Sequence, residues 1–127
     1  MKYLLDTHAI IWFSQNSPQL PDKINEIIIN PNNTCLISLA SIWEMSIKIK
    51  IGKMNLIGNL YDFVNELILI DFKFLDIKLE HVVEAGSLFR FHNDPFDRMI
   101  ITQSLIEKIP IISKDSMFDN YKVNRIW

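Results

Sequence analysis

The sequence predicts a three-layer α/β/α fold with a mostly parallel central sheet, and three observations carry that reading. Short apolar, β-prone runs recur at Lys2 to Leu5, Thr34 to Ile37 and Pro110 to Ser113. Segments with apolar residues at helical spacing lie between them. Strands that alternate with helices need crossover connections, which are right-handed and cover both faces of a parallel sheet.

Each element has its own signal. Lys2 to Leu5 ends at Asp6, and Thr7 to Phe13 then carries Ala9, Ile10 and Phe13 at helical spacing. Ser17, Pro18 and Pro21 break the pattern. Asp22 opens a helix with Ile24, Ile27 and Ile28 on one face, stopped by Asn30 and Pro31. After the strand Thr34 to Ile37, Ser38 opens a long helix in which Leu39, Trp43, Ile47 and Ile51 recur every four residues before Gly52. Leu60, Phe63, Val64, Leu67 and Ile68 form a further helical stripe. Phe72 to Ile77 reads as a short strand, and Leu79, Val82, Val83 and Leu88 as another helix. Pro95 starts a helix that runs to Lys108, Pro110 to Ser113 is a brief strand, and Val123 to Trp127 suits an edge strand.

With 127 residues, 49% of them hydrophobic, the chain fits one domain spanning residues 1–127, large enough to hold a core without disulfides. The single cysteine, Cys35, sits in a strand and is expected to be a buried, reduced thiol. No signal segment or bilayer-length apolar run is present, so a soluble, cytoplasmic protein without a membrane partner is expected. Thirteen Lys and Arg against fifteen Asp and Glu give a net charge of −2, which excludes attraction of a polyanion by a global cationic field. The chain also lacks the nucleophile elbow, the P-loop and the dinucleotide fingerprint, having only Gly52, Gly58 and Gly86.

Parallel strands bring their carboxyl ends to one edge of the sheet, where ligands of such sheets bind. Asp6 closes the first strand, Glu44 lies within two turns of the second, Asp97 follows Asn93-Asp94-Pro95, and Asp115 follows the strand at Pro110 to Ser113. Each alone is explained as a cap or turn residue, including Ser41 with Glu44 as a capping box and Asp94 as the N-cap before Pro95. Together on one edge they would repel by several kcal/mol unless protonated or bridged by a cation. Oxygen ligands select Mg2+ or Mn2+ over zinc, and His8, His81 and His92 are too scattered for a zinc site. The histidines are assigned no role, and Trp12 and Trp43 are expected in the core.

Three stretches resemble a known family: Leu4-Leu-Asp-Thr-His-Ala9, then Ser38-Leu-Ala-Ser-Ile-Trp-Glu-Met45 with Lys48 and Gly52-Lys-Met54, and His92-Asn-Asp-Pro-Phe-Asp-Arg98. The chain is similar to PIN-domain ribonucleases, specifically VapC-type toxins, from its first strand to Ser113-Lys-Asp115. The family's acidic positions fall on Asp6, Glu44, Asp97 and Asp115, the set already reached from strand ends. Asp115 stands at the position that varies in the family. The resemblance implies cleavage of single-stranded or loop RNA with Mg2+ or Mn2+, and inhibition by a cognate antitoxin whose tail enters the acidic groove. It leaves a homodimer open.

In this reading one or two metals held by Asp6, Glu44, Asp97 and Asp115 lower the pKa of a bound water from about 15.7 toward about 7. Glu44 orients or deprotonates that water, Thr7 supports a carboxylate or phosphate, and Asp94 adds a carboxylate that contacts metal through water. Lys48, Lys50, Lys53 and Arg98 supply a cationic rim for phosphates. The alternatives are a phospho-receiver, disfavoured because Thr7 rather than a second acid follows Asp6, a protein-binding module whose acids are only caps, and a DNA nuclease of the same architecture.

Overall fold

The computed structural model describes residues 1–127. The strands are β1 (Lys2–Leu5), β2 (Thr34–Ser38), β3 (Lys73–Leu75), β4 (Ile111–Ile112) and β5 (Arg125–Ile126). The helices are α1 (Thr7–Ser14), α2 (Asp22–Ile29), α3 (Leu39–Lys50), α4 (Leu60–Leu69), α5 (Leu79–Ser87) and α6 (Pro95–Glu107), with a 3-10 helix at Ser116–Asn120. Every expected strand and helix is present. No helix is long and apolar enough to cross a membrane.

All strand pairs are parallel, in the order β3-β2-β1-β4-β5. The chain winds outward from β1 to β2 and β3, then returns to lay β4 and β5 on the other side of β1. The winding direction therefore reverses between β1 and β4, and the crevice outside the carboxyl ends of those strands is where such sheets bind ligands. The register aligns Leu5 with Ile37 and Ile112, so Asp6 and Ser113, one residue further on, emerge side by side.

Strand alternation divides the core between the two faces of the sheet. Tyr3, Leu5, Cys35, Ile37 and Ile112 pack with Ile10, Ile24, Ile28, Phe63 and Leu67 of α1, α2 and α4. Leu4, Leu36 and Ile111 pack with Ile100 and Ile101 of α6 and with Phe118 and Tyr121 around the 3-10 helix. Each fully buried Leu or Ile contributes about 1.5–3 kcal/mol. Gly52, at φ +76°, ends the turn after α3 in the left-handed region that glycine enters without strain.

Helix α3 turns a different face inward from the one its apolar spacing marks. Ala40, Ser41, Glu44 and Met45 are buried, whereas Leu39, Trp43, Ile47 and Ile51 face outward. Trp43 is 62% exposed and meets Phe96 edge-on, so the expectation that it belongs to the core is corrected. Its helix is tied down by a buried polar network, described below, and by Met45 rather than by its apolar stripe. Trp12 lies half-buried at the margin of the core, against His8 and Trp127. The stripe Leu79, Val82 and Val83 of α5 is also solvent-facing, and the buried residue of that helix is His81.

Candidate active site

Asp6 leaves β1 as the N-cap of α1. Its Oδ1 accepts from the Ala9 N–H at 2.8 Å and its Oδ2 from the Ser113 hydroxyl at 2.5 Å. The cap explanation and a place on the acidic edge are thus both realised by one residue. Burial raises the pKa of Asp6, and the bonds from Ser113 and Ala9 and the charge of His8 oppose that rise.

Asp94 and Pro95 open α6 as N-cap and first helical residue. Asp94 Oδ1 accepts from the N–H groups of Phe96 and Asp97 at 2.8 and 3.1 Å. Asp97 then falls in the first turn and projects into the same region as Asp6 and Asp115. Its pKa is pushed up to about 7, first by burial and then by the negative charges of Asp94, Glu44, Asp6 and Asp115. Five carboxylates separated along the chain are therefore electrostatic neighbours.

Asp115 caps the 3-10 helix, with Oδ1 accepting from the Met117 N–H at 2.9 Å and Oδ2 facing His92 Nε2 at 2.9 Å. Its own N–H donates to Ser113 Oγ at 3.1 Å, which joins it to Asp6 through Ser113. Asp6, Asp97 and Asp115 line one cleft of about 380 Å³, bordered by His8, Trp12 and Lys114.

Glu44 is buried and does not line that cleft. Its Oε1 accepts from the Thr7 hydroxyl and its Oε2 from Lys48 Nζ, both at 2.6 Å, with Ser41 Oγ 3.1 Å from the Thr7 hydroxyl. The cap of α3 is Ser38, whose hydroxyl accepts from the Ala40 N–H, so Ser41 and Glu44 do not form a capping box. Partial burial works against the charge on Lys48. The hydrogen bond and charge of Glu44, with Asp94 and Asp97 behind it, outweigh that and raise its pKa.

Arg98 departs from the expected cationic rim. It is 8% exposed, and its guanidinium donates to the backbone carbonyls of Ala85 and Leu88 at 2.8 and 2.9 Å. The reason is helical geometry: successive residues point about 100° apart. With Asp97 on the cleft side, Arg98 is turned toward the end of α5, where it secures the chain entering the segment before α6. Lys114 is the lysine that borders the cleft, with Nζ 5.7 Å from the centre of the Trp12 ring. Sequence reasoning assigned no role to Lys114, Ser113 or Tyr121 and gave His92 none. A Ser or Lys directly after an apolar strand run and before Asp115 was the available signal for the first two.

One donor atom each from His92, Asp97 and Asp115 lies within 4.8 Å of the other two. With carboxylate oxygen as the main donor and uncompensated negative charge, the cleft fits a hard divalent cation. No Lys or Arg forms an ion pair with Asp6, Asp97 or Asp115, whereas Lys48 already serves Glu44.

The fold is shared with solved structures. VapBC2 from Rickettsia felis, bound to a DNA fragment from its promoter, matches with TM-score 0.72 and 16% identity over 99% of this chain and 98% of that one. VapBC-1 from nontypeable Haemophilus influenzae matches with TM-score 0.67 and 19% identity over 99% and 97%. A toxin-antitoxin complex from Klebsiella pneumoniae matches with TM-score 0.64 and 16% identity over 98% and 96%. No curated protein matches the sequence. The model of the PIN domain family matches residues 3–124, nearly the whole chain, with the acidic cleft inside that span, and the chain belongs to the PIN domain family.

Proposed function

We propose that this PIN domain is an endoribonuclease that hydrolyses RNA phosphodiester bonds with Mg2+ or Mn2+, as the toxin of a toxin-antitoxin pair in the cytoplasm. The observation that carries this reading is the shared cleft of Asp6, Asp97 and Asp115 at the reversal point of the sheet, without a Lys or Arg counter-ion. Carboxylates so placed repel one another unless a cation lies between them. Family membership and the likeness to VapBC structures support the same reading.

When bound, the metal supplies a Lewis acid for the scissile phosphate and a water acidified enough to attack it at neutral pH. Asp6, Asp97 and Asp115 would hold it, and Glu44, also expected among its ligands, is buried outside the cleft those three line. Ser113 orients Asp6 through its hydroxyl, and Asp94 sets Asp97 by capping the helix that carries it. Glu44 adds negative charge beside Asp97 and is itself held by Thr7 and Lys48. Lys114 offers a cation for a phosphate flanking the cut, the part expected of Arg98, and the half-buried Trp12 ring beneath it forms the wall of that path.

A cognate antitoxin inhibits the enzyme by covering the acidic cleft. The outward stripe of Leu39, Trp43, Ile47 and Ile51 on α3 is contiguous apolar surface of the kind that marks an interface, and it is assigned to a homodimer. The test is incubation of the purified protein with a single-stranded RNA and the DNA of the same sequence, in Mn2+, in Mg2+ and in EDTA. Metal-dependent shortening of the RNA alone is expected, and its loss in Asp6→Asn and Asp97→Asn. Undiminished cleavage by Asp6→Asn would overturn the reading, and cleavage of DNA alone would replace it with a DNA nuclease.

A further inference from the structure

We infer that His92 is a positioning residue, locked by Tyr121 into one tautomer so that its Nε2–H holds the Asp115 carboxylate in place at the metal site. His92 lies between α5 and α6, and Tyr121 directly follows the 3-10 helix, so the two meet only through the fold. Both are buried. The Tyr121 hydroxyl oxygen accepts from the backbone N–H groups of His92 at 2.9 Å and of Phe91 at 3.0 Å, the latter shared with the Phe89 carbonyl at 3.1 Å, and lies 3.2 Å from His92 Nδ1.

Counting hydrogens fixes the tautomer. With two N–H groups directed at its oxygen, the phenol has one hydrogen left to give, and Nδ1 is the acceptor within reach. Nδ1 is then bare and Nε2 carries the proton. The other end agrees independently: Nε2 faces Asp115 Oδ2 at 2.9 Å, and a carboxylate requires a donor there. The opposite tautomer would crowd three N–H groups on the Tyr121 oxygen and set a bare nitrogen against a carboxylate.

The ring is also held mechanically, by the Phe118 ring edge-on at 5.0 Å and by the Tyr121 ring at 5.5 Å. Asp115 is thereby fixed at both oxygens, by Met117 N–H on Oδ1 and His92 Nε2–H on Oδ2. Each oxygen keeps a further lone pair for a cation. Although His92 is near enough to Asp97 and Asp115 to be counted among metal donors, its Nε2 lone pair is occupied by hydrogen and its Nδ1 by the tyrosine. It acts on the metal through Asp115. The catalytic consequence rests on the nuclease reading, whereas the tautomer and the effect on metal affinity do not.

The experiment combines 15N NMR of the histidine rings in the metal-free protein with Mn2+ titration of the wild type, His92→Ala, His92→Gln and Tyr121→Phe. The wild-type ring is expected as the Nε2–H tautomer, with Tyr121→Phe giving a mixture. Loss of an outer-shell partner weakens metal binding about tenfold or more. That loss is expected in His92→Ala, a smaller one in Tyr121→Phe, and recovery in His92→Gln, whose amide N–H reaches where Nε2 does. RNA cleavage by His92→Ala should show a lower kcat at unchanged KM. An Nδ1–H tautomer in the wild type, wild-type Mn2+ affinity in a folded His92→Ala, or a Gln variant as weak as the Ala variant would each overturn the clamp. If His92→Ala fails to fold, the wild-type tautomer and the Gln and Phe titrations decide. His92-dependent Mn2+ binding without RNA cleavage would uphold the clamp and refute the nuclease. Metal-dependent cleavage with Mn2+ affinity indifferent to His92 would do the reverse.

Discussion

Replacing Asp97 by Asn is expected to stabilise the metal-free protein at pH 8 while abolishing its response to metal. The Asp97 carboxyl has a pKa of about 7 in the folded chain against an ordinary 3.8. Between those values the folded chain retains a proton that the unfolded chain has lost, so stability falls as the pH rises through that window. Above pH 7 the full penalty is present, and below about pH 4 none is. The gap corresponds to about 4 kcal/mol at its limit. The carboxyl is half-buried rather than enclosed, and solvent screening brings the expected gain to about 2 kcal/mol. For a chain of this size that is roughly 6–10 °C in melting temperature. Calorimetric melts in EDTA should show the Asn variant above the wild type at pH 8 and the two converging toward pH 4. Mn2+ at a hundredfold its Kd should add about 2.7 kcal/mol to the wild type and nothing to the variant. An Asn variant that melts at or below the wild type at pH 8 without metal would refute the claim that burial and the neighbouring carboxylates disfavour the charged form of Asp97.

Other perturbations probe the remaining assignments. Arg98→Ala removes two charge-assisted bonds to the carbonyls of Ala85 and Leu88; a loss of about 2–3 kcal/mol in urea unfolding is expected, with Mn2+ affinity unchanged, and a loss of affinity without destabilisation would return Arg98 to the cleft. Trp43→Ser combined with Ile47→Ser should move stability by no more than about 0.5 kcal/mol yet convert a dimer to a monomer by light scattering; a wild type already monomeric contradicts the dimer. Burial pushes the Cys35 thiol up to about 11, so a disulfide reagent at pH 8 should leave the native protein unlabelled and react only after unfolding.

The strands and the acidic edge were legible because each depends on local order. An apolar run followed by an acid places that acid at a strand end, and parallel winding brings strand ends together, so Asp6 and Asp115 meet without knowledge of any contact. The direction in which a helix faces was less legible. Spacing of four residues at Leu39, Trp43, Ile47 and Ile51 marks a helix, but a stripe that ends up facing outward looks the same in sequence as one destined for the core. What selects the buried face is the satisfied network of Glu44, Thr7 and Lys48, whose members lie 37 and 4 residues apart along the chain. Arg98 was misplaced because adjacency in sequence means divergence on a helix. His92 and Tyr121 leave no periodic trace, since a hydrogen bond across 29 residues is set by the packing of the 3-10 helix.

The sheet register has a bearing on the birth of the molecule. Asp6 is oriented by Ser113, 107 residues downstream, and β4 must slide in beside β1 before either residue is aligned. On the ribosome the first carboxylate emerges long before the hydroxyl that orients it. A nascent chain therefore carries its first three strands without an assembled carboxylate cleft, which is completed only once β4 pairs with β1.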